Sequence, residues 1–243
     1  MRKMVLLAVS VVLVALGCSS DKPYCEGLLG SVEYDPSNQE CIDGVVYTNF
    51  IDARDNKNYK SVQIGTQIWM VENLNYNAAG SKCYLDYISN CNKYGKLYDW
   101  NTAMNACPIG WHLPSNYDWK ILDDFAKDNY YYSSDALKTK DGWTYTYNGQ
   151  MRDGNGRNYS GFSALPGGAG FTNAILRPDS EDYCGTSTFG ISCFAGRIGY
   201  WWTSTGNGNN FAYIRTIYAV GGGVEIDSDY NKGYFASVRC IKN

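Results

Sequence analysis

Nine cysteines in 243 residues limit what this chain can fold into more than any other feature. Their meaning depends on the compartment, because thiols stay reduced in the cytosol and pair in oxidising surroundings. The N-terminus speaks to that. Met1-Arg2-Lys3 is a short positive segment, and Met4 to Leu16 is an apolar run of thirteen residues broken only by Ser10. A membrane-spanning helix needs about 20 apolar residues, so the run is too short to span and fits the core of a signal peptide. Residues 1–17 are therefore expected to be a leader and the rest of the chain to be exported. Cys18 stands where the apolar run gives way to polar Ser19-Ser20-Asp21-Lys22.

Ala15-Leu16-Gly17-Cys18 resembles the lipobox of bacterial lipoproteins, in which a small residue precedes a cysteine that is diacylated and becomes the mature N-terminus. Gly17 and Cys18 match. The position three before the cysteine, usually Leu, is Ala15 here, with Leu16 one place later. The resemblance implies a lipid on Cys18, and several acyl chains on one residue anchor stably where a single chain holds only marginally. The membrane is then a partner, and Ser19 in place of Asp favours the outer membrane or cell surface. The competing reading is an ordinary secretory signal with Cys18 removed or disulfide-bonded.

With Cys18 set apart, eight cysteines remain, which allow 105 connectivities. Spacing narrows them. Cys25 and Cys41 share the N-terminal segment, Cys83 and Cys91 flank one short polar loop, and Cys184 and Cys193 flank another. That leaves Cys107 with Cys240, a long-range staple. A metal site is the weaker reading, since no Cys-x-x-Cys occurs and His112 is the lone histidine. No metal or cofactor is expected.

Removing Arg2 and Lys3 leaves 19 basic against 24 acidic residues, an acidic balance without the basic stripe that nucleic acid requires. With 22 Tyr, 26 Gly and 7 Trp, the exported part reads as rich in strands and loops. Residues 18–48 are expected to be an anchor, a linker and a small disulfide-closed hairpin around a turn at Tyr34–Gln39. The main domain runs over 49–243. Ser61 to Met70 reads as two strands joined by a turn at Gly65. Leu97 to Ala106 has helical spacing, with Leu97, Trp100, Ala103 and Met104 on one face, and Pro108 stops it. Ser115 is a candidate N-cap for a second helix, with Asp118 completing a capping box and Trp119, Leu122, Phe125 and Ala126 as its buried stripe. The middle after Tyr130 carries few helix signals. Strands return at Tyr200–Ser204, Phe211–Val220 and Tyr234–Ile241. In the last of these Ala236, Val238 and Cys240 share one face, and Ser237, Arg239 and Ile241 the other.

Several stretches, in order, carry a resemblance. They are Asp52-Ala53-Arg54-Asp55, Val62 to Tyr76, Cys107-Pro108-Ile109-Gly110-Trp111-His112-Leu113-Pro114-Ser115, Gly161 to Gly168, Trp201-Trp202-Thr203-Ser204 and Ser237 to Lys242. Over about residues 50–243 the chain resembles the Fibrobacter succinogenes major paralogous domain. The resemblance implies an α+β, C-type-lectin-like mixed fold, similar also to the sulfatase-modifying enzymes. Such a fold has two early helices, a long loop-rich middle and short antiparallel strands, here stapled by disulfides. Fold alone assigns no function.

The sulfatase-modifying relatives are oxidases that use a reactive cysteine pair, but every cysteine of this domain has a disulfide partner in the spacing argument. His112 lies between Trp111 and Leu113 and reads as a buried, hydrogen-bonded structural residue rather than a general base. No nucleophile elbow is present, and no carboxylate pair stands at a telling spacing for glycoside hydrolysis. The sugar-binding signatures of C-type lectins are missing. Asp227-Ser228-Asp229-Tyr230-Asn231 departs from a calcium loop at Lys232, where Gly is needed, and reads as a polar turn. Asp153-Gly154-Asn155-Gly156 reads as a tight turn. No catalytic residue is expected.

What remains is aromatic. Tyr130-Tyr131-Tyr132 and Trp143-Thr144-Tyr145-Thr146-Tyr147 offer flat faces suited to sugar rings or a protein partner. Trp143 and Trp202 are assigned mostly to the core. Three consecutive tyrosines cannot all point inward, so at least one is expected to be exposed, and Tyr130, Tyr131, Tyr132, Tyr145 and Tyr147 are the candidate ligand-binding residues. The expectation is a surface protein binding polysaccharide or another surface protein, with a purely structural envelope component or a cryptic enzyme as alternatives.

Overall fold

The computed structural model describes residues 22–172, 184–188 and 190–243; the leader and Cys18 lie outside them. The expected disulfides form at all four pairs, Cys25–Cys41, Cys83–Cys91, Cys107–Cys240 and Cys184–Cys193. Around them the chain is sheet-rich with few helices.

Two sheets dominate. In the first, Gln39–Ile42, Val45–Asp52, Lys57–Ile64 and Gln67–Met70 form an antiparallel meander, and Ile241–Lys242 and Trp111–His112 extend it. The hairpin expected at Gly65 is present, with Ile64 opposite Gln67. Gly65 holds φ +58°, and a Cβ there would come within 2.9 Å of the Phe125 ring, so both the turn and the helix packing call for glycine. The second sheet orders Glu225–Asn231, Phe211–Tyr218, Ile198–Asn207, Ala236–Ser237 and Leu97–Tyr98. Among the described residues, a small sheet of Ala169–Phe171, Gly190–Cys193 and Cys184–Ser187 and two separate hairpins complete the strands.

The helix Asn116–Asn129 forms as the sequence indicates. Ser115 Oγ accepts the Asp118 amide at 3.2 Å, and the Asp118 carboxylate accepts the Ser115 amide at 2.7 Å, closing the capping box. Trp119, Leu122 and Ala126 are fully buried along one stripe, each large side chain worth about 1.5–3 kcal/mol in removal from water. Trp119 meets Trp69, Phe162 and Trp201 at ring separations of 5.1, 5.6 and 5.8 Å, in tilted and edge-on geometries. This aromatic cluster is the centre of the core, and Trp143 and Trp202 are buried as expected.

The C-terminal segment is the seam between the two large sheets. Its pairing breaks between Ser237 and Ile241, and both faces are buried, not one. Arg239 lies in this break with no exposed surface. Its guanidinium donates to Asn73 Oδ1 at 2.7 Å, to Phe162 O at 2.6 Å and to Val71 O. Burial pushes the Arg239 pKa down to about 9, so the group stays charged at neutral pH.

Several expectations are corrected. Leu97–Ala106 is not one helix: Leu97–Tyr98 is a strand paired with Ala236–Ser237, and only Trp100–Ala103 is helical, capped by Asp99. The need to pair with the buried C-terminal strand overrides the helical spacing. The loop between Cys83 and Cys91 instead holds a 3-10 turn and the start of a helix, Ile88–Tyr94. A further helix, Ser133–Leu137, stands in the middle region. Asp227–Asn231 is part of an edge strand, not a turn; its alternating acids face solvent while Tyr230 points inward. His112 is exposed, with Nδ1 2.7 Å from Asn243 Oδ1, because its strand lies at the edge of the first sheet. At Asp153 the carboxylate accepts the Asn155 amide at 2.7 Å, the side-chain geometry of a tight turn. Val45–Asp52 pairs with both Gln39–Ile42 and Lys57–Ile64, so the N-terminal segment is built onto the first sheet.

Candidate functional site

The tyrosine triplet sits where two helices meet. Tyr130 caps the C-terminus of Asn116–Asn129, its amide donating to Ala126 O, and Tyr132 is the N-cap of Ser133–Leu137. The extended backbone between them turns successive side chains to different sides. Tyr130 therefore points inward, edge-on to Phe125 at 6.4 Å and stacked at 18° on Tyr159, with ring centres 6.2 Å apart. Burial raises its hydroxyl pKa. Tyr131 is 91% exposed and Tyr132 56% exposed, their rings meeting edge-to-face at 4.5 Å. At least one exposed ring is expected, and two of the three are exposed.

Tyr159 comes from the segment 154–163, which is pinned onto Ser133–Leu137 by backbone bonds. The Arg157 and Asn158 amides donate to Asp135 O, and the Ser160 amide donates to Ala136 O. Asn158 holds φ +52° and exchanges two 2.8 Å hydrogen bonds with Ser163, which fixes the bend. Arg157 Nη1 donates to the Tyr159 hydroxyl at 3.0 Å. The result is a cleft of ≈ 380 Å³ lined by the three tyrosines, Tyr159, Asp135 and Arg157, with Leu28 at its edge. A second volume of ≈ 530 Å³ adjoins it and shares Leu28, Tyr130 and Tyr159. Each lies within the roughly 300–1,000 Å³ of small-molecule sites.

Tyr145 and Tyr147 do not join this cleft. They lie on the hairpin Thr144–Tyr147/Gln150–Asp153, where Tyr145 packs partly against the core and Tyr147 is exposed. Tyr159, Asp135, Arg157 and Leu28 were not singled out from the sequence, because the segments that carry them meet only through backbone hydrogen bonds. A tyrosine in the Gly- and Asn-rich run before Gly161 is the one local signal. Among the described residues, no three His, Cys, Asp or Glu side chains gather as metal ligands, and no helix is long and apolar enough to cross a membrane.

The family model of the Fibrobacter succinogenes major domain matches residues 62–242. The chain belongs to that family. No curated protein and no solved structure matches it. Within the family match lie the tyrosine cleft, the Cys107–Cys240 staple and the Arg239 seam. The hairpin that carries Leu28, and the strand Val45–Asp52, precede it.

Proposed function

We propose that this protein is a lipid-anchored surface protein whose lectin-like, non-catalytic domain binds polysaccharide in the tyrosine cleft. The observation that carries the reading is the pairing of two exposed rings, Tyr131 and Tyr132, with the inward stack of Tyr130 on Tyr159. Exposed aromatic faces stack on the apolar faces of sugar rings with little entropy to lose, and the Arg157 and Asp135 side chains beside them supply polar partners for sugar hydroxyls. Four disulfides suit an oxidising compartment outside the cytoplasm. The lipobox-like Ala15–Cys18 supplies the anchor, which keeps a displayed binding surface at the envelope.

The test is retention on insoluble cellulose and other plant polysaccharides. A Tyr131→Ala/Tyr132→Ala variant is expected to lose about tenfold or more in affinity, the scale of two aromatic contacts. Both side chains are exposed, so the fold is unaffected. Retention unchanged in that variant, or matched by an unfolded control, sinks the proposal. The anchor is checked separately: Cys18→Ala is expected to move the protein from the membrane to the soluble fraction.

A further inference from the structure

The larger volume beyond Tyr130 is bounded by the N-terminal hairpin Tyr24–Gly27/Gly30–Glu33, whose tip also borders the tyrosine cleft. The tip of that hairpin is Leu28-Leu29, where turns usually carry Gly, Asn or Asp. Leu28 is 66% and Leu29 56% exposed, and Val32 on the returning strand is exposed as well. All three line the ≈ 530 Å³ volume, with Ile64, Ile68 and Phe125 also on its walls.

The hairpin is held in place rather than hanging free. Cys25–Cys41 ties it to the outer strand of the first sheet. Gly27 lies against Gly44 so closely that a Cβ on Gly27 would overlap the Gly44 carbonyl oxygen. Leu28, Tyr130 and Tyr159 border both volumes, so the tyrosine cleft and the space beside the hairpin adjoin.

We infer that the stapled hairpin is the second wall of the polysaccharide site, and that the two adjoining volumes form one trough that holds an extended, uncharged glycan chain across two subsites. The inference rests on the polysaccharide reading above. Two adjoining volumes fit a run of sugar rings rather than a single ring. The charge of the lining sets the class of glycan. One half carries Glu33 and Lys242, the other Asp135 and Arg157, one acid and one base in each. No surplus of positive charge is present to hold a polyanion. The rest of the polar lining is amide and hydroxyl, including Gln39, Gln63 and Thr48, groups that exchange hydrogen bonds with neutral sugars.

Affinity electrophoresis of the purified protein tests this, with hydroxyethyl cellulose, xyloglucan and glucomannan as uncharged probes and polygalacturonate as the charged one. Retardation by at least one uncharged polysaccharide is expected, and Leu28→Ala is expected to weaken it about tenfold, the scale of one truncated contact residue. Leu28 is mostly exposed, so this variant folds. A Cys25→Ser/Cys41→Ser variant, with its melting curve recorded, is expected to lose at least as much by freeing the wall. If Tyr131→Ala/Tyr132→Ala abolishes retardation while Leu28→Ala and the cysteine variant bind as wild type, the hairpin wall is overturned and the tyrosine cleft stands. If polygalacturonate retards the protein as strongly, the uncharged class is overturned. If no polysaccharide retards the wild type, the polysaccharide reading itself falls.

Discussion

Cys107 and Cys240 close a loop of 133 residues, whereas Cys83 and Cys91 close one of 8. A cross-link stabilises mainly by removing freedom from the unfolded chain, and the effect grows with the logarithm of the loop. The chain-entropy relation gives about 5 kcal/mol for the long loop and about 2.5 kcal/mol for the short one. Replacing both cysteines of a pair by alanine isolates this term, because alanine adds no polar group to the site. Cys240 and Cys91 are both buried, so the small packing cost of losing a sulfur falls on both pairs and leaves the loop-length difference standing. The expected outcome is that Cys107→Ala/Cys240→Ala loses about twice the stability of Cys83→Ala/Cys91→Ala. At this chain length the larger loss lowers the melting temperature by about 10–20 °C. Guanidinium unfolding followed by tryptophan fluorescence reads it, since five of the seven tryptophans are fully buried. Equal losses from the two double variants refute the reasoning and place the stabilisation in native contacts.

Two further outcomes concern the scaffold. Ser115→Ala removes an N-cap acceptor from the helix that leads to Tyr130 and is expected to cost about 1 kcal/mol in equilibrium unfolding; no change counts against the capping box as a stabilising feature. Asp52 is buried, which works to raise its pKa, but hydrogen bonds from Arg54 and its charge outweigh that and hold the carboxyl below its ordinary 3.8. A folded pKa below the unfolded one contributes stability that is full above about pH 4 and is lost as pH falls through the folded value. The stability gap between wild type and Asp52→Asn should therefore narrow on acidification, and a gap independent of pH from neutral to about pH 2 refutes that account.

Local rules act through neighbours in the chain, and those are legible from sequence. The cysteine pairs, the capping box at Ser115 and Asp118, the Gly65 hairpin and the burial of Trp143 and Trp202 all follow from spacing, side-chain chemistry or hydrophobic pattern. Family membership was carried by ordered motifs and is borne out over residues 62–242. Other features depend on partners distant in sequence. Leu97 is a strand residue because the C-terminal segment needs a pairing partner, and helical spacing cannot register that competition. Arg239 reads as one member of an alternating strand, yet it is buried because the sheets leave the carbonyls of Val71 and Phe162 and the Asn73 amide oxygen facing one another. His112 is exposed because its strand falls at a sheet edge.

The site divides the same way. That Tyr130, Tyr131 and Tyr132 could not all be buried follows from backbone geometry and was readable at once. Which of them points inward was settled by Tyr159, brought alongside by amides donating to Asp135 and Ala136. The sequence by itself determined the disulfide pattern, the helix start and the presence of surplus aromatic surface. Only the tertiary structure decided that Tyr145 and Tyr147 stand apart, and that Leu28, about a hundred residues before the triplet, lines the same cleft. The physical reason is that chain neighbours constrain conformation, while a binding surface is made by segments whose proximity exists only after the sheets have packed.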